Sequence, residues 1–351
     1  MPCSTPEDCS APRYWKRFIL LVIRTGLGIA ILVWVFSQLP LDEFVAALWR
    51  GALNWRWWAM GLFFAGMGLA GAAIRWRALL RAQQVDLTAS RTMRLFFIGQ
   101  FFNSFLPGSC GGDAARVYYV FRETELKRTE AMTTVVVDRG IGFLTLVFFA
   151  CGMLAWQFTY VVEERWAQMA GLLMLAILLV AAIVSILAFH QHFFDRWPRV
   201  TQWLRRWRLG PILIRAYDAV YVYRDRPTVL AVSVALSLVN LAGLTLACYA
   251  FGRSLGIDVS LLYYFTLFPV ITALSSIPLT PGAFGVREGL FVQLFAIPGV
   301  SAAGAVSLSL MVYGGGLAWS LFGGLLFINY TARFGVSWRD EWRKLHNQPL
   351  P

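Results

Sequence analysis

Two short stretches of this chain share one pattern of chemistry-bearing residues. The first is Asn103-Ser104-Phe105-Leu106-Pro107-Gly108-Ser109-Cys110-Gly111-Gly112-Asp113, followed by Arg116. The second is Pro281-Gly282-Ala283-Phe284-Gly285-Val286-Arg287-Glu288. Both read Pro-Gly-x-x-Gly-x-charge, and the prolines lie 281 − 107 = 174 positions apart, about half of the 351 residues. Proline and glycine break a helix, and a helix restarting after the break presents unpaired N–H groups that attract anions, phosphate among them. Arginine at such a place suits bidentate binding of phosphate. Paired Pro/Gly interruptions at matching places in two apolar halves are the pattern of a substrate site in a transporter-like protein.

Further ionisable residues sit in or beside the same apolar runs. The first stretch carries Asp113 and Arg116, the run after it Asp138 and Arg139, and the second stretch Arg287 and Glu288. A charge at the centre of a membrane span costs about 2.5–3.5 kcal/mol, so six unpaired ones would cost on the order of 15–20 kcal/mol. They must therefore pair or face water. The candidate substrate site is Asn103, Pro107, Gly108, Gly111, Gly112, Asp113, Arg116, Asp138, Arg139, Pro281, Gly282, Gly285, Arg287 and Glu288. In this reading arginines meet an anion, carboxylates orient them or take up protons, and the two helix N-termini face each other across one cavity. Structural salt bridges locking the helices are the competing account of the same charges.

Composition places these residues in a membrane. Hydrophobic residues make up 58% and charged residues 14%, against roughly 25% charged in soluble domains. The formal net charge of +12 sits in short loops between apolar runs, which marks a cytoplasmic face rather than a nucleic-acid partner. Many of the fifteen tryptophans, including Trp49, Trp58, Trp76 and Trp156, fall near the ends of apolar runs, as in an interfacial belt. The five cysteines form no CxxC. His190 and His192 beside Asp195 lack a third ligand of the usual kind, so no metal or other cofactor is expected. No GxxxxGK[ST], HExxH or GxSxG is present, so no ATP hydrolysis or hydrolase chemistry is expected.

Six runs have the length of a span, roughly 18–36, 57–74, 131–156, 167–189, 228–252 and 301–329. The stretches 93–121 and 260–298 contain the breaks, and their short arms suit re-entrant half-helices. Basic residues in 75–94, 190–227 and the C-terminal tail go inside, and Glu163 with Glu164 outside. That assignment closes only if each half has three spans and a hairpin, with the second half upside down. The expected architecture is an all-α integral membrane protein of about six full spans plus two re-entrant broken helical hairpins, arranged as an inverted repeat. Residues 1–17 form a cytoplasmic tail, 18–330 the membrane domain with halves 18–156 and 167–330, 190–227 a basic cytoplasmic loop, and 331–351 a second cytoplasmic tail. Within that loop 193–208 reads either as an amphipathic helix on the inner leaflet or as a loop helix packed on the spans.

The run Asn103 to Pro107, Gly111-Gly112-Asp113 and Arg116, then Val137-Asp138-Arg139 with Gly142, then Pro278, Pro281-Gly282, Gly285 and Arg287-Glu288 resembles the transmembrane, flippase-like region of lysylphosphatidylglycerol synthases and its stand-alone relatives. The resemblance runs from about residue 15 to 330. It implies an integral membrane bundle with two re-entrant segments that moves lipid headgroups between leaflets of an inner membrane. The aminoacyl-transferase domain that follows in full-length synthases is not expected here. The implied partner is a membrane lipid: an anionic phospholipid, an aminoacylated phospholipid or a polyprenyl-phosphate lipid. A homo-oligomer or a separate lipid-synthesising enzyme is a further expected partner. A coupled transporter of a small anionic solute and a membrane-embedded lipid-phosphate transferase are the alternatives.

Overall fold

A computed structural model describes residues 54–105, 111–124, 128–157, 171–179, 226–277 and 280–334, with isolated positions elsewhere. All regular elements among them are helical. In chain order they are α1 (Trp55–Ala82), α2 (Ala89–Phe105), α3 (Gly111–Thr124), α4 (Arg128–Trp156), α5 (Pro227–Ser254), α6 (Leu261–Ser275), a 3-10 turn (Pro281–Ala283), α7 (Val286–Phe295) and α8 (Ala302–Phe334). Trp55–Ala82, Met132–Trp156, Pro227–Ser254 and Ala302–Ala332 are long and apolar enough to cross a membrane. They correspond to four of the six expected spans. The run 18–36 and the stretch 193–208 lie outside the described residues, as does all of 167–189 beyond 168, 169 and 171–179.

The two halves repeat in detail. Helices α1 and α5 both have 28 residues, and their starts differ by 227 − 55 = 172. Each ends in the same cap. Gln84 N–H donates to Arg81 and Val85 N–H to Leu80; Gly256 N–H donates to Arg253 and Ile257 N–H to Gly252. These are Schellman closures, which need a left-handed residue. Gly256 supplies it at φ 80°, and Gln84 adopts φ 63° in the other copy. An ion pair follows each cap at the same spacing, Arg81 with Asp86 and Arg253 with Asp258. Thr88 and Ser260 then precede α2 and α6. The repeat Arg-x-x-x-(Val/Ile)-Asp-(Leu/Val)-(Thr/Ser) is visible in the sequence, but it lies outside the Pro-Gly signal.

Helices α1 and α5 run antiparallel along their length. Asn54 donates to the Ser254 carbonyl near one end. Gly61 faces Phe251, and Gly71 faces Val239 and Leu236 towards the other end. At the crossing, Gly68 lies against Asn240, its own counterpart 240 − 68 = 172 residues on, and also against Gly243. A two-fold axis therefore passes through this contact, across the helices. The remaining helix packings obey the same exchange. The α2–α8 packing has its counterpart in α6–α4, α2–α3 in α6–α7, and α3–α4 in α7–α8. Each half's core is completed by the other half. Phe327 and Tyr330 of α8 join the cluster of α1, α2 and α3, while Val147, Ala150 and Leu154 of α4 join that of α5, α6 and α7.

The outward faces of the spans are apolar: Phe148 is 71% exposed and Ile328 63%. Such a surface is stable facing lipid and costly facing water. Two expectations need correction. The basic residues from Arg75 on are expected in an inside loop, but α1 continues two further turns, to Ala82, and buries Arg75. Its charge is compensated there, so the helix need not end. Trp76 is expected in the interfacial belt, yet it is fully buried and its indole donates to Thr134.

A Cβ at Gly243 would come within 2.8 Å of the Gly68 backbone, whereas one at Gly152 would meet nothing within 4 Å. Backbone cannot give way as a side chain can. Gly243→Ala should therefore cost about 1–3 kcal/mol. Thermal unfolding in detergent should show a lowered Tm for Gly243→Ala and an unchanged one for Gly152→Ala.

Candidate functional site

The first break is built by close approach of α2 and α3. A Cβ on Gly112 would collide with the Gly99 carbonyl oxygen and with Asn103, so only glycine lets the two helices touch here. One turn further along α3, Arg116 lies across Gly99: a Cβ there would meet its Cγ at 2.6 Å and its Nε at 2.8 Å. The guanidinium sits 4.1 Å over the Phe96 ring and 5.6 Å from Trp76.

Five charged groups alternate in sign through this region. Arg75 Nη1 donates to Ser237 Oγ at 2.8 Å, and its Nε to Asp138 Oδ1 at 2.7 Å. Asp138 Oδ2 lies 3.8 Å from Arg116 Nη1, which is also 3.8 Å from Asp113 Oδ1. Asp113 in turn accepts Arg139 Nε at 3.0 Å and Nη2 at 3.0 Å. Helices α1, α3, α4 and α5 thus meet in one chain of three guanidiniums and two carboxylates. Burial grades along it. Arg75, Asp138 and Arg116 are buried, while the Arg139 side chain is 50% exposed. Among the described residues, Arg116 Nε and Asn103 Oδ1 are buried without a hydrogen-bond partner.

The second break is differently made. Pro281 to Ala283 form the 3-10 turn, with Gly282 at φ 64°. Gly285, at φ 81°, caps α7, and its N–H donates to Glu288 Oε2 at 2.7 Å. Glu288 is fully buried. Its Oε1 accepts Arg287 Nε at 3.1 Å and Ser309 Oγ at 3.2 Å. Arg287 stacks 4.8 Å from the Tyr313 ring and 5.7 Å from Phe284. The N-cap N–H at the start of α7 is therefore taken by the protein's own carboxylate. A buried carboxylate held by these donors satisfies the charges locally.

The two breaks do not form one charge cluster. Helix α3 packs chiefly on α2 and α4, and α7 on α6 and α8. Among the described residues no ion pair joins Arg287 or Glu288 to the first group. The six charges read as one set fall into a group of four, enlarged by Arg75, and a group of two. A shift of 174 residues places Asp113 over Arg287 and Arg139 over Tyr313 (287 − 113; 313 − 139). The scaffold repeats, whereas an ion pair in one half becomes a cation–π contact in the other. Pro107 and Gly108 lie outside the described residues. Gly111 opens α3, and Gly112 makes its contact with α2. Sequence reasoning missed Arg75, Ser237, Ser309 and Tyr313. The Arg81–Asp86 repeat would have extended α1 and shown that Arg75 lies within a helix.

The profile of the family described as the lysylphosphatidylglycerol synthase TM region matches residues 20–321. A UPF0104 membrane protein of Pyrococcus horikoshii is 22% identical over 316 residues, covering 84% of this chain and 91% of the relative. A UPF0104 membrane protein of Methanothermobacter thermautotrophicus is 23% identical over 253 residues, covering 66% of this chain and 73% of the relative.

Breaking the buried Arg75–Asp138 pair on one side leaves an uncompensated charge, which costs about 3–5 kcal/mol. Asp138→Leu should therefore lower the Tm strongly, and adding Arg75→Met should recover much of the loss. Thermal unfolding of the two single variants and the double variant in detergent measures this coupling.

Proposed function

The chain belongs to the lysylphosphatidylglycerol synthase membrane-region family, and from that premise we propose that it is a translocase moving a phosphate-bearing lipid headgroup between leaflets. One observation carries the reading. Five charged groups alternate through the bundle with one positive charge in excess, and Arg116 of α3 keeps an N–H without a partner among the described residues. A phosphodiester carries one negative charge and would bring that chain to neutrality. The buried charges are costly in a bilayer, and an ion pathway is the usual reason for their presence.

The hairpins α2–α3 and α6–α7 are re-entrant in this proposal. Helix lengths support it: α3 has 14 residues and α7 has 10, or about 21 and 15 Å at 1.5 Å per residue, short of the roughly 30 Å hydrocarbon core. Antiparallel α1 and α5 let the hairpins enter from opposite leaflets. The acyl chains stay in the bilayer while the headgroup crosses beside the arginines, and no covalent bond is made or broken. The location is a bacterial-type inner membrane with both termini cytoplasmic.

The test is reconstitution into vesicles containing phosphatidylglycerol with a dithionite-sensitive fluorescent headgroup label. Protein-free vesicles protect the inner leaflet; wild-type protein should expose nearly all of the label. A hydrogen bond to a charged group contributes about 1.5–3 kcal/mol, so Arg116→Gln should slow exposure about tenfold or more. An equal rate in wild type and variant would count against the arginine site. Uptake of inorganic phosphate without movement of the lipid would replace the reading with small-anion transport.

A further inference from the structure

We infer that the Asp113–Arg139 pair latches a lateral entrance between α3 and α4, at which the phosphate of a bilayer lipid takes Arg139 and Asp113 passes to Arg116. The inference rests on the translocase reading and adds where the lipid enters and which group it displaces.

Three observations combine. The first is where Arg139 stands. It lies seven residues after Met132 in an apolar span, about 10 Å along the helix axis. Half of its side chain is nevertheless exposed. Val136, one turn earlier, is 43% exposed, and the adjoining Gly140 is exposed, with no atom of the described residues within 4 Å of where a Cβ would stand. In this inference the half-exposed guanidinium, within an apolar span, faces the lipid and recruits the nearest lipid phosphate.

The second is the position of Asp113 between two arginines. It accepts the fork of Arg139 at 3.0 Å and stands 3.8 Å from Arg116 Nη1. Arg116 is buried, and its Nε has no partner among the described residues. A carboxylate released from Arg139 therefore has a cation waiting on its inner side. The exchange keeps charge compensated throughout, because a phosphodiester takes over on Arg139 what Asp113 gives up. The linked groups carry three positive and two negative charges before entry, and they balance once one phosphodiester has joined.

The third is the asymmetry of the repeat. At the equivalent place in the second half, Tyr313 stands where Arg139 does, and the Arg287 side chain is only 14% exposed beneath Tyr313 and Phe284. Of these two equivalent positions, only the first offers a cation outward.

The experiment places a cysteine at Gly140 in a background with the five native cysteines replaced, labels it with bimane, and reconstitutes the full chain. Lipids brominated in the acyl chains should quench the emission, and aqueous iodide should not. Quenching by iodide without quenching by brominated lipid would show a water-facing arginine and overturn the entrance. Titration with short-chain phosphatidylglycerol should then change the emission. Asp113→Asn, which removes the latch, should reach half-response at about tenfold lower lipid, and Arg139→Gln should lose the response. Arg139→Lys keeps the charge without the fork and should respond severalfold more weakly, which guards against a variant that does not fold. The same response to inorganic phosphate alone would make this an entrance for soluble anions and overturn the lipid assignment. None of these readouts requires transfer across the bilayer. A lipid response without translocation leaves the entrance standing and defeats the translocase reading. Translocation unaffected by Arg139→Gln, with no lipid response, does the reverse.

Discussion

A charge within a membrane helix persists only where an opposite charge or water meets it, and the Arg75–Asp138 contact is where this constraint shapes the bundle. Arg75 can remain inside α1 because Asp138 of α4 lies 2.7 Å away. Ser237 of α5 takes the other face of the same guanidinium. One side chain thus ties three spans together at a fixed depth and in a fixed register. Asp138 then has an oxygen left for Arg116, which brings α3 against α4 and sets the hairpin beside the spans. Glycine makes the geometry possible, since Gly142 and Gly99 leave room for the guanidiniums of Arg75 and Arg116.

The scaffold and the chemistry follow different symmetries. The helix order, the Schellman caps, the ion pairs after them and the packing partners all repeat between halves. The antiparallel α1–α5 pair, close-packed where Gly68 meets Asn240 and Gly243, is the seam on which the exchange turns. The ionisable groups around the two breaks do not repeat. Carboxylates and guanidiniums alternate through the first half, and a self-satisfied Arg287–Glu288–Ser309 knot closes the second. Equivalent backbones that carry unequal charges offer an anion unequal sites.

The two breaks also differ in how they treat their helix termini. A restarting helix carries a partial positive charge at its N-terminus, and that charge attracts whichever anion is nearest. At α7 that anion is Glu288, which takes the N-cap N–H of Gly285 three residues before it. At α3 the first-turn carboxylate is Asp113, which turns instead to Arg139 on the neighbouring helix. The same local chemistry pairs one first-turn carboxylate within its own helix and the other with a neighbouring helix.

The amino-acid sequence by itself determined that this is an all-helical membrane protein, because hydropathy and length are summed along the chain and need no partner. It also determined where the helices break, since proline and glycine act on their own backbone. The Arg81–Asp86 and Arg253–Asp258 repeat was equally legible and would have carried α1 to Ala82. Only the tertiary structure decided which charges meet. Arg75 and Asp138 are 63 positions apart, and Arg75 and Ser237 are 162 apart, and no local signal states such pairings. They follow from how the antiparallel seam and the two hairpins pack. Ion pairs depend on distance in space, whereas hydropathy depends only on order along the chain.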